Sequence, residues 1–598
     1  MTAVSPLAGN TDLVSFTITA SGNKIPDTYQ IKQVQVHKEV NRISFARIVI
    51  YDGDPSTEAF QISASSTFVP GVPITITAGY HSQETTIFSG MVVKHAIKVA
   101  ELSKSYLVLT CYDMAIKLTL GRKSAYAGKS DSDAMQKIIS AAGLSADVSS
   151  TSALHDELVR YYATDWDFLV CRAEVNGQIV LVDDGKVTVQ APQVSASPQL
   201  LIEYGDALHE LNAEIDARYQ LPSVKCSSWD FATQTVVSGS SSEPSVNPQG
   251  NFNGKTLSEV LGLESFDLQT VGDVNAAELK VWADAQLLKS RMAKIRGVVN
   301  FRGNASPKPG QVVQLAGVGA RFNGNAFVSA INHHIENGSW MTEVTFGLSP
   351  QWFVAEVPDV VAPLSSGLRP GIKGLQIGTV KQIDQDPDGQ TRLLVVAPMI
   401  AAAGDGIWAR FATPYATKDA GIFFIPEIGD EVLLGFLNDD PNYPVVLGSM
   451  YSASSHKPPY EADAPNTYKA IVSNSKLKIS IDDVKKILQI ETPGGHVITM
   501  SDDAKSITIT DSNSNKMSFS ESGIDISSAK DVTISATGNV SIEAKGGSMS
   551  LKAATSLSES AMSISTSADT ELSMQGNASA KLSSSGMLTV QGSMVMIN

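Results

Sequence analysis

The chain has 598 residues, a length typical of several domains rather than one. Its 45 Lys and Arg stand against 61 Asp and Glu, a net charge of −16, which argues against a protein that binds a nucleic-acid backbone through a broad basic face. The amino terminus lacks the basic and apolar regions of a secretory signal, and no run of about 18 apolar residues is present, so we expect synthesis in the cytoplasm and no membrane span.

The 3 cysteines, Cys111, Cys171 and Cys226, are far apart and odd in number. Neither a disulfide framework nor a paired-cysteine metal site is therefore expected. They are predicted to be small buried side chains.

Residues 1–360 mix predicted strands with predicted helices. The strands are predicted at 14–20, 42–51, 73–80, 85–99 and 104–113. A first helix begins after a cap at Asp131 or Ser132, and a second is capped by Thr164 with Asp167 at its third position.

A third helix is predicted over residues 276–297. Apolar residues spaced three or four apart give it one inward face. That predicted face consists of Leu279, Trp282, Ala285, Leu288, Met292 and Ile295.

Three stretches rich in polar residues, Pro or Gly are predicted to lie outside the folded domains. Residues 240–254 are expected to form an exposed loop. Residues 361–372 and 456–469 are expected to be linkers on either side of a central domain.

That central domain, residues 373–455, shows five or six predicted strands and no predicted helix. The pattern is typical of a small closed barrel of the OB type. Val432, Leu434 and Phe436 alternate along one strand and are predicted to face the barrel core. Many OB barrels bind nucleic acid, but this one lacks interleaved aromatic and basic residues, so nucleic-acid binding is not expected.

Residues 470–598 contain a single aromatic residue, Phe519, and a single proline, Pro493. Composition alone fits a flexible tail equally well, but an eight-residue period favours short strands separated by turns. The period is carried by Val532, Val540, Ile564, Leu572 and Leu588, and two positions later by Ile534, Ile542, Met574, Leu582 and Val590. The register slips near 548–560.

A four-residue strand presents one thin apolar face, which a single chain cannot cover. Residues 470–598 are therefore predicted to wind with identical copies into an intertwined β-prism needle. Three copies make the smallest closed prism, although the period itself does not fix the number.

The run 425–452 resembles the VgrG spike proteins of contractile injection systems, and the runs 407–416 and 163–177 are similar to that family too. The residues that carry the resemblance are Pro426, Gly429, Asp430, Glu431, Gly435, Phe436, Asp440, Pro441, Pro444 and Gly448.

The resemblance implies a mainly β, multi-domain fold. Residues 1–360 would be a phage-hub-like region of two barrel-like domains with helices, followed by the OB barrel and a trimeric β-helix needle. The implied partners are two further copies of the chain, an inner-tube (Hcp-like) protein, baseplate proteins and effector cargo. In the family the apolar end of the needle is capped by a PAAR-type tip protein, which here implies a site at Met594, Val595, Met596, Ile597 and Asn598.

Catalytic and metal-binding motifs are not found in the sequence. His333 and His334 are adjacent in a predicted strand and so face opposite ways. Residues 250–256 are one residue short of a phosphate loop, and Asp439 and Asp440 precede Pro441 in what is predicted to be a solvated turn. No catalytic residue, cofactor or metal is predicted.

Two classes of function fit these observations. The first is a structural spike that caps an inner tube, punctures a target membrane when a sheath contracts, and leaves the cell within an injection particle. The alternatives are a spike with its own peptidoglycan hydrolase or toxin activity, or the baseplate hub of a true phage. About fifteen residues between the barrel and the needle leave no room for an enzyme domain, so a non-enzymatic spike is expected. Whether the apparatus is a type VI secretion system, an extracellular particle or a phage stays open.

Overall fold

The computed structural model describes residues 3–9, 11–100, 104–401 and 404–597. The chain divides into two compact units, Met1–Met450 and Tyr451–Asn598. Each unit is described by itself.

The first unit begins with antiparallel strands whose alternate side chains are buried. They are β1 (Val14–Ala20), β2 (Asn23–Lys24), β3 (Ile31–Glu39), β4 (Phe45–Tyr51), β5 (Pro73–Tyr80), β6 (Gln83–Ala100) and β7 (Lys104–Tyr112). The predicted strands at 14–20 and 73–80 have their predicted bounds. The strand predicted at 42–51 begins three residues later, at Phe45.

A smaller layer of helices and short strands follows. It contains β8 (Lys123–Ser130), α1 (Asp131–Ala141), β9 (Ser145–Val148), β10 (Leu154–Ala163), α2 (Asp165–Val175), β11 (Ile179–Asp183) and β12 (Lys186–Gln190). Thr164 caps α2 as predicted, since its hydroxyl accepts a hydrogen bond from the Asp167 amide at 3.0 Å. The cap of α1 is Ser130, one residue before the two predicted candidates.

The chain then returns to the large sheet. This part contains β13 (Leu201–Glu203), β14 (Leu208–Ile215), β15 (Val224–Asp230), β16 (Thr235–Ser240), α3 (Gly254–Ser258), β17 (Phe266–Gln269), α4 (Ala276–Met292), β18 (Ile295–Arg302), β19 (Val312–Ala316), β20 (Gly324–Glu336), β21 (Ser339–Phe346) and α5 (Phe353–Glu356).

The predicted inward face of α4 was partly wrong. Leu279, Ala285 and Met292 are buried as predicted, while Trp282 and Leu288 are only half-buried. The helix packs on β15 and β16 through Leu279, Ala283 and Leu287. Ile295 lies beyond the helix, at the start of β18, because the helix ends at Met292.

Strands from both parts of the first unit join in one 13-stranded sheet. The junction is the antiparallel pair β3–β20, in which Val36 lies opposite His333. Two hydrophobic cores lie on this sheet, one around Ile48 and Leu109 and the other around Val299 and Val344. The two predicted barrel-like regions are thus two cores on a continuous sheet.

The loop predicted at 240–254 is not fully exposed. Asn247 and Gln249 are buried, and Gln249 forms a β-bridge with Gly324. Polar composition suggested solvent exposure, but these polar side chains serve as packing and hydrogen-bonding groups against the neighbouring strand.

The next elements are β22 (Gln376–Gln382), β23 (Leu393–Val396), α6 (Pro398–Ala401), β24 (Ile407–Phe411), β25 (Ala416–Thr417), β26 (Ala420–Gly421), β27 (Glu431–Phe436) and β28 (Pro444–Ser449). Five of these strands form a closed barrel in the order β22–β23–β24–β28–β27. Val432 and Leu434 are fully buried in the barrel, with Phe436 packed against them, as predicted. The short helix α6 was not predicted.

The predicted linker 361–372 and the predicted solvated turn at Asp440 are in fact joined. Arg369 donates two hydrogen bonds to the Asp440 carboxylate, at 2.7 and 2.9 Å, and the Asp440 residue is only 4% exposed. Burial alone would raise the pKa of Asp440, but the Asn442 amide and Arg369 together hold it below its ordinary value. The turn is therefore an anchor for the preceding segment rather than a solvated loop.

The second unit contains seven consecutive antiparallel strands. They are β29 (Tyr468–Val472), β30 (Lys478–Asp482), β31 (Ile487–Glu491), β32 (Val497–Ser501), β33 (Ser506–Thr510), β34 (Lys516–Ser520) and β35 (Gly523–Ser527). From β29 to β34 the strands start nine or ten residues apart, so the predicted eight-residue period does not extend to this part of 470–598.

Candidate functional site: the assembly surface of the second unit

The seven-stranded sheet of the second unit carries apolar side chains on one face. Its register places Ile479 opposite Ile490 and Ile498 opposite Ile509. The complete row, the first ladder, consists of Ile471, Ile479, Ile490, Ile498, Ile509, Met517 and Ile526. Because cross-strand neighbours lie close enough to pack, this ladder is an apolar stripe across the whole sheet.

A second ladder runs beside the first, two residues along each strand. It consists of Ile481, Leu488, Met500, Ile507, Phe519 and Ile524, with Lys469 at its first position. Residues two apart in a strand share a face, so both ladders lie on the same side of the sheet. The other side is mostly polar, although Val472, Ile487 and Val497 also lie on it. Its central row consists of Ser480, Gln489, Thr499, Thr508 and Ser518.

The ladder side chains remain open to solvent in the single chain. Ile490 is 41% exposed and Ile526 is 62% exposed, whereas Leu434 in the barrel is 0% exposed. A contiguous apolar surface of this kind usually marks a contact with another molecule. Among the described residues of the second unit, none covers it.

Tight turns hold the ladders in register. Lys486 and Lys505, each the last residue of a turn, have positive φ values of 55° and 47°. At the turn between β33 and β34, the Asp511 carboxylate accepts hydrogen bonds from the Asn515 and Asn513 amides, each at 2.9 Å. The bonds from Asn515 and Asn513 lower the pKa of Asp511, so the acceptor stays charged.

Residues 528–597 make no strand pairs within the chain. No backbone–backbone hydrogen bond joins two described residues of this segment. The side chains of the predicted eight-residue period are exposed, for example Val532 at 60%, Ile534 at 75% and Ile542 at 69%. Backbone N–H and C=O groups need hydrogen-bond partners, and apolar side chains need to be buried. This segment therefore has the properties expected of one that pairs with another molecule.

The predicted tip site lies at the end of this segment. Met594, Val595, Met596 and Ile597 are exposed, and Asn598 lies outside the described residues. The described residues of this site form an exposed apolar segment without backbone hydrogen bonds among them. That a tip protein binds there stays a prediction.

The histidines singled out in the sequence lie where predicted. His333 is buried with its ring 3.0 Å from the Thr342 hydroxyl, and burial lowers its pKa to about 3, so it is a neutral core residue. His334 faces the other way, toward Glu336 at 3.1 Å. Within the part of the chain that the structure describes, no three His, Cys, Asp or Glu side chains cluster as metal ligands.

Cys111 and Cys226 are buried, as predicted, while Cys171 is partly exposed. Burial raises the pKa of all three thiols to about 12. At neutral pH these thiols are therefore protonated, the form that is not nucleophilic. Across 3–9, 11–100, 104–401 and 404–597, no helix combines the length and apolar character needed to cross a membrane.

A buried charge cluster around Asp131 was missed in the sequence. Arg172 donates to its carboxylate at 2.5 and 3.0 Å, Asn176 donates at 2.9 Å, and His155 lies 3.2 Å away. Burial alone would raise the pKa of Asp131, but Arg172, Asn176 and His155 together lower it. His155 also contacts Glu278 at 3.3 Å, so the cluster ties α1, α2 and α4 together. The partners lie up to about 150 residues apart, and no local pattern joins them.

Three successive parts of the chain match known protein families. Residues 10–337, more than half of the chain, match the family profile described as the Alg8 N-terminal domain. The chain belongs to this Alg8 family. Residues 376–451 of this Alg8-family chain match the type VI secretion system/phage-baseplate injector OB domain. Residues 487–550 match the phage baseplate V C-terminal trimerisation domain, which covers β31–β35 and the start of the unpaired segment.

Curated relatives of this Alg8-family chain include VgrG spike proteins. Type VI secretion system spike protein VgrG5 of Pseudomonas aeruginosa is 32% identical over 114 residues, which are 18% of this chain and 14% of VgrG5. VgrG1a of the same organism is 38% identical over 68 residues, 11% of this chain and 10% of the relative. VgrG3 of Vibrio cholerae is 39% identical over 51 residues, 8% of this chain and 5% of the relative. The chain thus matches only a small part of the length of these relatives.

Solved structures of low similarity include a tail protein, a component of the type VI secretion system and a PdpA–VgrG complex. A tail protein of Neisseria meningitidis has 12% identity and a TM-score of 0.43, covering 57% of this chain and 98% of its own. An Escherichia coli component of the type VI secretion system has 11% identity and a TM-score of 0.36, with coverages of 72% and 99%. The Francisella PdpA–VgrG complex has 10% identity and a TM-score of 0.36, with coverages of 87% and 81%.

Proposed function

We propose that this Alg8-family chain is the central spike of a contractile injection apparatus. Three copies assemble through their second units, and the resulting rigid needle punctures a target membrane when a sheath contracts. The proposal is supported by the order of the matched parts: an Alg8 N-terminal domain, an injector OB domain and a trimerisation domain.

The observation that carries this proposal is the uncovered pair of apolar ladders. A sheet with one apolar and one polar face must bury its apolar face against another structural element. Burying one Ile or Phe side chain contributes about 1.5–3 kcal/mol, so thirteen ladder side chains make assembly strongly favourable.

Three copies suit this geometry. Three sheets that each turn an apolar face inward enclose a closed prism, and the polar rows then face solvent. The trimerisation-domain match at 487–550 favours the same number. Residues 528–597, which lack backbone partners within the chain, would pair with the equivalent residues of the other two copies.

The mechanical role needs no catalytic group in this chain, and we propose that it acts without enzymatic activity. Stiffness would come from hydrogen bonds and apolar contacts between copies. The first unit would meet the inner tube and baseplate proteins, cargo would travel as a separate polypeptide, and Met594–Ile597 with Asn598 would receive a tip protein.

Native mass spectrometry of the purified full-length chain tests the assembly. We expect a single species of three times the 63.4 kDa chain mass, and hydrogen exchange slow enough to protect the amides of 528–597. A monomer, or rapid exchange throughout 528–597, would contradict the proposal.

The tip site has its own test. A chain lacking residues 594–598 should still form the trimer but lose its affinity for a tip protein encoded with it, measured by pull-down. Undiminished capture by the truncated trimer would remove the tip role from these residues and leave the assembly proposal intact.

A further inference from the structure

The barrel of the first unit carries an apolar loop that its own core does not bury. The loop, residues 415–428, lies between β24 and β27 and contains the short hairpin β25–β26. The Thr413 hydroxyl donates to the Ile422 carbonyl at 2.7 Å, and the Ile422 amide donates to the Tyr415 carbonyl at 2.9 Å. The hairpin therefore has a defined conformation.

Large apolar side chains are concentrated on this loop and exposed. Phe423 is 74% exposed, Phe424 is 62% exposed and Ile428 is 63% exposed. The two residues that follow Phe424 are less exposed than the phenylalanines: Ile425 packs against the barrel core and Pro426 is buried. The exposed phenylalanines are thus held by an anchored backbone and turned away from the barrel.

The chemistry of the loop points to an apolar protein surface as its partner. Its charged residues are Lys418 and Asp419 at the hairpin turn and Glu427 near the barrel. A nucleic-acid or anion site would need basic residues interleaved with the aromatic ones, and the loop has one lysine. Exposed adjacent phenylalanines of this kind mark a surface that is covered in the working protein.

A second copy of the chain is the occupant that the rest of the molecule favours, and this step rests on the proposed function. Residues 451–467 connect the barrel to the first strand of the second unit. An extended chain spans at most about 3.6 Å per residue, so these seventeen residues reach roughly 60 Å. Assembly of the second units therefore keeps three barrels near one another at a high effective concentration.

We propose that, in the assembled trimer, the apolar loop 415–428 of each copy packs against the barrel of a neighbouring copy and buries Phe423 and Phe424. This second contact lies outside the residues matched to the trimerisation domain. It fixes the barrels relative to one another, whereas the second unit alone would leave them tethered by a connecting segment.

Limited trypsin digestion of the intact full-length trimer tests this contact, with cleavage after Lys418 measured by mass spectrometry. We expect Lys418 to resist trypsin in the trimer. The double variant Phe423→Ser, Phe424→Ser should keep the trimer mass but be cleaved after Lys418 at least tenfold faster.

The matched control is Phe231→Ser, since Phe231 is also 62% exposed but lies outside the barrel. It should leave cleavage after Lys418 unchanged. Rapid cleavage after Lys418 in the unaltered trimer would overturn the loop contact. The same result is expected if a different protein, absent from the purified sample, covers the loop. A monomeric unaltered chain would instead overturn the proposed function, so the two failures are distinguishable.

Discussion

The two units of this chain treat apolar side chains in opposite ways. In the first unit, Ile48 and Leu109 are fully buried by strands and loops of the same chain. In the second unit, Ile490 and Ile507 stand in regular rows yet remain about two-fifths exposed. Both units use strands with alternating side chains, so alternation predicts a strand without telling which molecule supplies its partner face. The cores of the first unit are covered within one chain, whereas the ladders of the second unit are left exposed by it.

The largest effect on this difference between the units is expected from charged residues placed on the ladders. The double variant Ile490→Asp, Ile498→Asp puts two carboxylates opposite each other on the apolar face. Burying unpaired charge costs several kcal/mol per group, so we expect loss of the trimer in native mass spectrometry. Circular dichroism should show that the first unit remains folded.

The matched control uses the polar face of the same two strands. In Gln489→Asp, Thr499→Asp the new carboxylates are also directly opposite each other, but they would lie on the polar face of the sheet, at half-buried positions. This variant should remain trimeric. If both variants dissociate to the same extent, the apolar face of the sheet does not form the contact between copies in preference to the polar face.

A cavity in the barrel should affect the first unit alone. Leu434→Ala removes a side chain that is 0% exposed, and we expect a loss of about 4 kcal/mol in the free energy of unfolding. Leu437→Ala, at a position 51% exposed, is the control and should change it by less than about 0.5 kcal/mol. Urea unfolding measures both, and a trimer mass unchanged by Leu434→Ala is expected.

Removing the buried carboxylate of α1 should have a slightly smaller, pH-dependent effect. Asp131→Asn leaves Arg172 without its partner, at a cost of about 3 kcal/mol at neutral pH. Since the fold lowers the pKa of Asp131, its contribution is present above the ordinary carboxyl pKa of about 3.9 and is lost as the pH falls below it.

Urea unfolding at a series of pH values checks this expectation. The unaltered chain and Asp131→Asn should differ most near neutral pH and converge in acid. Asp133→Asn, an exposed carboxylate in the same helical turn, is the control and should show little difference at any pH. A constant difference between the unaltered chain and Asp131→Asn down to pH 2 would contradict the assigned role.

The smallest of the expected effects is at a helix cap. Thr164→Ala removes the hydroxyl that accepts from the Asp167 amide, at a cost of about 1 kcal/mol. Thr164→Ser keeps the hydroxyl and should restore most of the loss in the same thermal unfolding measurement. Equal losses in both variants would show that the cap bond does not stabilise α2.

Local patterns predicted local structure well. Thr164 and Asp167 predicted the start of α2, and alternation predicted β1 and β5 to the residue. The barrel core residues Val432 and Leu434 were also predicted, because a strand with only one buried face keeps a two-residue period in its sequence.

Interactions between distant residues escaped prediction. The partners of Asp440 and Asp131 depend on the tertiary fold, so a solvated turn was expected where Arg369 binds. The ladders were missed for a related reason: Ile479 and Ile490 align only once turn lengths fix the register. The eight-residue period that begins at Val532 does not hold for β29–β34, which start nine or ten residues apart.

The pairing of β3 with β20 has a consequence for folding of the chain during its synthesis on the ribosome. β3 spans Ile31–Glu39, while the strand that covers its edge spans Gly324–Glu336. At synthesis rates of about 5–20 residues per second, roughly 15–60 s pass before that partner emerges. During this interval a nascent strand edge is open to stray pairing, so slow translation or crowded polysomes would be the conditions under which this protein is most easily lost to aggregation.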